Sequence, residues 1–255
     1  MKRSAWIAII TIITVCCVVG GTFYHIFAHG GRTTTGAGLE AFDVVNVDVD
    51  LMNVTITAGE EFYMSCEYSN GLEPLYEVIN GTLTIKQRVY KKWGVNNAEC
   101  SLTLTIPAQE VMDSIDVHTA LGNITLEGIS AAECELLSNL GNCTLKKCSF
   151  DEADLNVNMG EISASDTSLN EAEIKNDMGE VSLDECSFRD LSITAAMGSV
   201  KVDSALNIDG YDIDLAADLG SVRVNNRDEG TKYHQKGDAG ELEIDTNMGS
   251  IQVKY

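Results

Sequence analysis

Seven glycines recur from residue 122 onward in this 255-residue chain, at Gly122, Gly141, Gly160, Gly179, Gly198, Gly220 and Gly249. The intervals between them are 19, 19, 19, 19, 22 and 29 residues. A fixed period of this size marks coils that stack, because one coil cannot bury its apolar side alone. Two residues after each glycine stand Ile124, Cys143, Ile162, Val181, Val200, Val222 and Ile251. Four residues after come Leu126, Leu145, Ala164, Leu183, Val202, Val224 and Val253. Counting backward, Ile115, Cys134, Ala153, Ala172, Leu191, Ile213 and Leu242 stand at minus seven. At minus five come Val117, Leu136, Leu155, Ile174, Ile193, Leu215 and Ile244. Apolar residues at every second position mean strands with one buried face. The pattern predicts an all-β fold: a single parallel β-solenoid, β-helix-like, with about 19 residues per coil.

The glycine itself fits a sharp corner at positive φ, where a Cβ is penalised. Leu121, Leu140, Met159, Met178, Met197, Leu219 and Met248 precede the glycines and are expected to form a stacked core column. The longer intervals put extra residues at 203–212 and 225–241, and corner loops are expected there, forming either a binding spot or the cap of the C-terminal end.

The chain opens with Lys2 and Arg3, followed by an apolar run over residues 5–28 without Asp, Glu, Lys or Arg. That length crosses a bilayer as one helix. Basic residues ahead of it favour a cytoplasmic N-terminus at residues 1–4. The expectation is a signal anchor in a bacterial cell membrane, with the rest extracytoplasmic. The alternative is secretion after cleavage of the segment. Residues 29–39, rich in Gly and Thr, read as a linker.

Residues 40–113 are β-rich without the period, and read as an N-terminal cap with irregular coils. Residues 114–255 hold the regular coils and a C-terminal cap. Asn80-Gly81 between two apolar runs is a hairpin signal. The order Asn80-Gly81-Thr82-Leu83-Thr84-Ile85, then Leu102-Thr103-Leu104-Thr105-Ile106-Pro107, then repeated x-Gly-x-Ile/Val-x-Leu units, resembles the bacterial "putative adhesin" family. That family is a domain of unknown function, also seen in cell-envelope stress proteins. The resemblance covers roughly residues 40 to 255. It implies a β-repeat fold at the cell surface and carries over no functional residue.

Thirty-nine Asp and Glu stand against 17 Lys and Arg, a formal net charge of −22. Such a balance disfavours nucleic acid as a partner. The acids also fall in phase. Glu133, Glu152 and Glu171 stand eight residues before their glycines, and Glu135, Asp154 and Glu173 six before. Both positions flank the inward residue at minus seven, so two outward carboxylate columns are expected. These six are the metal candidates, with Ca²⁺ as the ion matching an all-oxygen donor set. A cationic peptide, protein or cell-envelope component is the other class of partner such a face would hold.

Two basic-aromatic stretches are candidate partner contacts: Tyr90 with Trp93, and Lys232, Tyr233, His234 and Lys236. Cys66, Cys100, Cys134, Cys143, Cys148 and Cys186 contain no CxxC pair, so neither a zinc ribbon nor a redox motif is indicated. Cys66 with Cys100 is the pair least at odds with a disulfide. No Ser/His/Asp set, phosphate loop or HExxH is present, and no cofactor is expected. The sequence therefore points to a non-enzymatic interaction module, adhesin-like or envelope-associated. Its alternatives are a scaffold assembling end to end and a carbohydrate-active enzyme.

Overall fold

Alternating apolar residues become strands wherever a neighbour of the same period lies alongside, and here nearly the whole chain does so. The computed structural model describes residues 32–69, 72–88 and 100–255. The chain is all-β, with 22 strands and no helix among the described residues. The apolar run at 5–28, with Tyr90 and Trp93, lies outside the described residues.

Each coil, named here by its glycine, has one strand before the corner and one after it. The Gly141 coil is Ser130–Leu140 then Cys143–Lys146, and the Gly160 coil is Ser149–Met159 then Ile162–Ser165. Neighbouring coils pair in parallel on both sides, with Leu136 beside Leu155 and Cys143 beside Ile162. The long strand Val181–Met197 belongs to both ladders and joins them into one sheet. Inside, Leu155, Ile162, Ile174, Val181 and Leu183 are fully buried.

The stack does not follow chain order at its ends. The last strands, Glu241–Met248 and Ile251–Lys254, lie between the Gly198 coil and the Gly220 coil. Backbone bonds through the corner trace the same order. Gly179 N–H donates to Met197 O, Gly198 N–H to Met248 O, and Gly249 N–H to Leu219 O. The other end repeats the device. Val44–Leu51 and Asn53–Gly59 form a coil next to Gly122, while Thr82–Gln87 and Ser101–Pro107 lie outside it. The irregular coils expected within 40–113 are thus in register with the rest.

Three expectations are corrected. Arg32–Gly38 is not linker but a strand antiparallel to Tyr63–Ser69, which in turn pairs antiparallel with Ser101–Pro107. Three consecutive threonines favour that extended state. The residues at 225–241 are not a corner loop but the cap, the other expectation for them. Arg227–Gly230 and Lys232–Gln235 are antiparallel strands that cover the outermost coil. Finally, the residues before the glycines are not core. Leu121, Leu140, Met159, Met178, Met197 and Met248 are each 40–46% exposed, and Leu219 is 69% exposed. Strict alternation from the buried Leu155 and Val157 would turn Met159 inward, but the corner begins first and swings it out.

Glycine is required at the corner for two reasons that act together. Gly122, Gly141, Gly160, Gly179, Gly198 and Gly249 hold φ between 146 and 154°, and a Cβ on each would strike a backbone carbonyl of the adjoining coil. A second corner, six residues on, also has positive φ yet accepts Lys147, Asp166 and Glu185 at 50–53°. Beneath the first corner, inward polar side chains bond the glycine carbonyls. Ser138 Oγ donates to Gly122 O and Asn176 Nδ2 to Gly160 O.

All six cysteines from Cys66 to Cys186 are buried free thiols, so the Cys66–Cys100 disulfide is not formed here. Burial pushes the Cys66 thiol up to about 11 and Cys143 up to about 12. A protonated buried thiol favours the fold fully below the free value of 9.0, and that contribution is lost as pH rises toward the folded values. Each unit of difference amounts to about 1.4 kcal/mol. The melting temperature is therefore expected to fall steadily above the free value, and Cys143→Ala to make that decline shallower. A decline of unchanged slope in the variant would refute this assignment. Alkylation at neutral pH should leave these thiols unmodified until the chain unfolds.

Candidate functional site

The strand register sets the carboxylates side by side. Glu133, Glu152, Glu171, Asp190, Glu241 and Asp212 occupy consecutive rungs of one column. Asp116, Glu135, Asp154, Glu173, Ser192, Glu243 and Asp214 occupy the other. All six residues singled out from the sequence, Glu133, Glu135, Glu152, Asp154, Glu171 and Glu173, line one open groove of about 620 Å³. Between the columns the groove is lined by Cys134, Ala153, Ala172 and Leu191. Their side chains point inward, so the floor between the two outward carboxylate rows is strand backbone.

Rungs of a parallel sheet are about 4.8 Å apart. Two carboxylates at that spacing repel by about 1 kcal/mol in bulk water before screening. Two cations that the sequence pattern did not single out relieve this in the middle of the face. Arg189 bridges Glu171 and Asp190, and Lys175 pairs with Glu173 at 2.6 Å. Both stand off-column in the 19-residue phase, so no repeat marks them. Toward the N-terminal end, Arg88 pairs with Asp48 and, at 3.1 Å, with Asp50. Its hydrogen bond holds the Asp48 carboxyl below the usual value.

Among the described residues, no group of three or more His, Cys, Asp or Glu side chains converges as a metal site. The carboxylates form a ladder, not a cage. Lys232, Tyr233, His234 and Lys236 lie at the end of the same face. His234 stands opposite Asp214, Tyr233 opposite Leu215, and Lys232 opposite Ala216. Tyr233 is half-buried with its hydroxyl donating to Gln235 Oε1, while Lys232, His234 and Lys236 are exposed.

Residues 42–255 match the family described as Toastrack DUF4097. A solved structure of a "putative adhesin" from Bacteroides fragilis is 13% identical, covering 88% of this chain and 96% of its own, with a TM-score of 0.48. A "putative lipid binding protein" from Parabacteroides distasonis is 16% identical over 89% of this chain and 98% of its own, at a TM-score of 0.45. A "putative cell adhesion protein" from Clostridium sporogenes is 15% identical over 88% of this chain and 99% of its own, at 0.39. No curated protein matches the chain.

Proposed function

The chain belongs to the Toastrack DUF4097 family, and we propose that it is a non-enzymatic, adhesin-like envelope module whose carboxylate groove receives a cationic partner. The observation that carries this reading is the groove itself, with both carboxylate columns as its walls. From Asn46 to Glu243 the groove spans seven rungs, about 29 Å. An extended peptide of eight or nine residues has about that length. Side chains on one face of a strand repeat about every 6.8 Å, out of step with the rungs. Recognition of such a peptide is then by charge density and not by sequence register.

Location is part of the same proposal. The apolar run ends at Ala28, and the first strand begins at Arg32. Three intervening residues reach about 10 Å when extended. With the run as a membrane anchor, the cap at that end would sit close to the bilayer surface. The end-to-end scaffold is less favoured by the topology. Antiparallel strands cover the outermost coil at each end, Leu75–Ile79 at one and Lys232–Gln235 at the other. A parallel stack does not continue across such strands.

The test is fluorescence anisotropy of a labelled octalysine peptide with the full chain, repeated across salt concentrations. Replacing Glu133, Glu135 and Glu152 by Gln removes three exposed charge contacts of about 0.5 kcal/mol each, an affinity loss of roughly tenfold. Affinity should also fall steeply with salt. An unchanged Kd in the triple variant would overturn the proposal. Equal competition by Ca²⁺ and Mg²⁺ is expected from a ladder that screens ions without caging them.

A further inference from the structure

The stacking order brings together four methionines that the chain order keeps apart. By sequence, Leu219 separates Met197 from Met248. In the stack, Met159, Met178, Met197 and Met248 occupy four consecutive rungs. They are half of the chain's eight methionines. Each is 41–46% exposed, whereas Met52, Met64 and Met112 are at most 3% exposed. Leucine fills the equivalent place at Leu121, Leu140 and Leu219. An apolar ridge alone would therefore be served by leucine throughout, and what methionine adds is a thioether.

The surroundings favour a cation. The columns on either side of these four rungs hold Asn158, Asp177, Ala196 and Asn247, and Glu161, Glu180, Ser199 and Ser250. They contribute three carboxylates and neither Lys nor Arg. Thioethers bind soft cations, Cu(I) above all, and are poor ligands for Ca²⁺ or Mg²⁺. A metal–sulfur bond is about 2.3 Å, so two thioethers one rung apart, about 4.8 Å, are spaced to hold one ion between them. The corner hydrogen bonds from Gly160, Gly179 and Gly198 fix the rungs in that register. We propose that Met159, Met178, Met197 and Met248 form a thioether ladder that binds a soft, thiophilic cation of the Cu(I) class on the outer surface of the stack.

The probe is Ag(I), a redox-inert stand-in for Cu(I), added as nitrate in chloride-free buffer to the full chain carrying ¹³C-methyl methionine. Saturable shifts are expected for the four ladder methyls and not for Met52, Met64 or Met112. Methyl shifts separate this binding from capture by thiols. Two double variants then test adjacency with the number of methionines held constant. M159L/M178L leaves the neighbours Met197 and Met248, whereas M178L/M197L leaves Met159 and Met248 three rungs apart. The second is expected to bind at least tenfold more weakly than the first. Both should keep the parent melting temperature, because leucine already fills this column elsewhere. Equal affinity in the two variants, or stationary ladder methyls while Ag(I) binds, would overturn the proposal.

Discussion

Deleting residues 241–255 is expected to unfold far more than the residues removed. The two strands lost are an inner layer, paired on one side with the Gly198 coil and on the other with the Gly220 coil. Leu242, Ile244, Ile251 and Val253 are fully buried there. At about 2 kcal/mol per buried aliphatic side chain, their loss removes roughly 8 kcal/mol. That is comparable with the whole stability of a typical domain, about 5–15 kcal/mol. It also exposes two unpaired sheet edges in place of one. Limited proteolysis should then cut within 205–240, and the cooperative melt should be lost or strongly lowered. If the terminal strands merely formed the last layer, the truncated chain would melt near the parent temperature and 205–240 would stay protected.

Gly179→Ala is expected to be among the most damaging single substitutions of its size. The new methyl would run into the carbonyl of Gly160, and φ is 146°. Neither partner can yield cheaply, since the colliding atom is backbone locked in the ladder. Strain of this kind belongs to the rare class of point changes costing about 4 kcal/mol or more. For a domain of this length that corresponds to a fall of about 10 °C in melting temperature. A matched substitution at the second corner, Asp166→Ala, also carries positive φ but has no glycine requirement, since Lys147 and Glu185 occupy the same place. It should cost much less. Equal losses at the two corners would show that positive φ alone, without stacking, accounts for the glycine.

These two expectations separate what a period reveals from what it hides. The 19-residue spacing carries the strand pairs, because every rung repeats the same local choice. Cys134 beside Ala153 and Leu136 beside Leu155 follow directly from it. The carboxylate columns were legible for the same reason, Glu133 to Glu171 lying in phase with the inward residues they flank. Stacking order at the ends was not legible. Met248 fits beside Met197 or beside Leu219 equally well by pattern, and in the fold it touches both. Its place depends on where the segment 205–240 returns, which is a non-local matter. The exposed ridge was misread because alternation was carried through a corner. Buried Val157 is followed by outward Met159, since the turn at Gly160 breaks the parity of the strand. Arg189 and Lys175 were overlooked because an unrepeated residue leaves no mark in a periodic pattern.

The stacking order underlies the truncation, the groove's far end and the methionine ladder alike, and one cross-linking comparison tests it directly. Ser192 lies beside Glu243, and Glu243 beside Asp214, so Ser192 and Asp214 are two rungs apart. Cysteines one rung apart fall within disulfide reach, whereas two rungs, about 10 Å, exceed the limit of about 7 Å. The chain's six described native thiols are buried and do not compete. After mild oxidation and peptide mass spectrometry, S192C/E243C is predicted to cross-link and S192C/D214C to remain reduced. Cross-linking of S192C/D214C with S192C/E243C left reduced would mean that the coils stack in chain order, and would contradict the account.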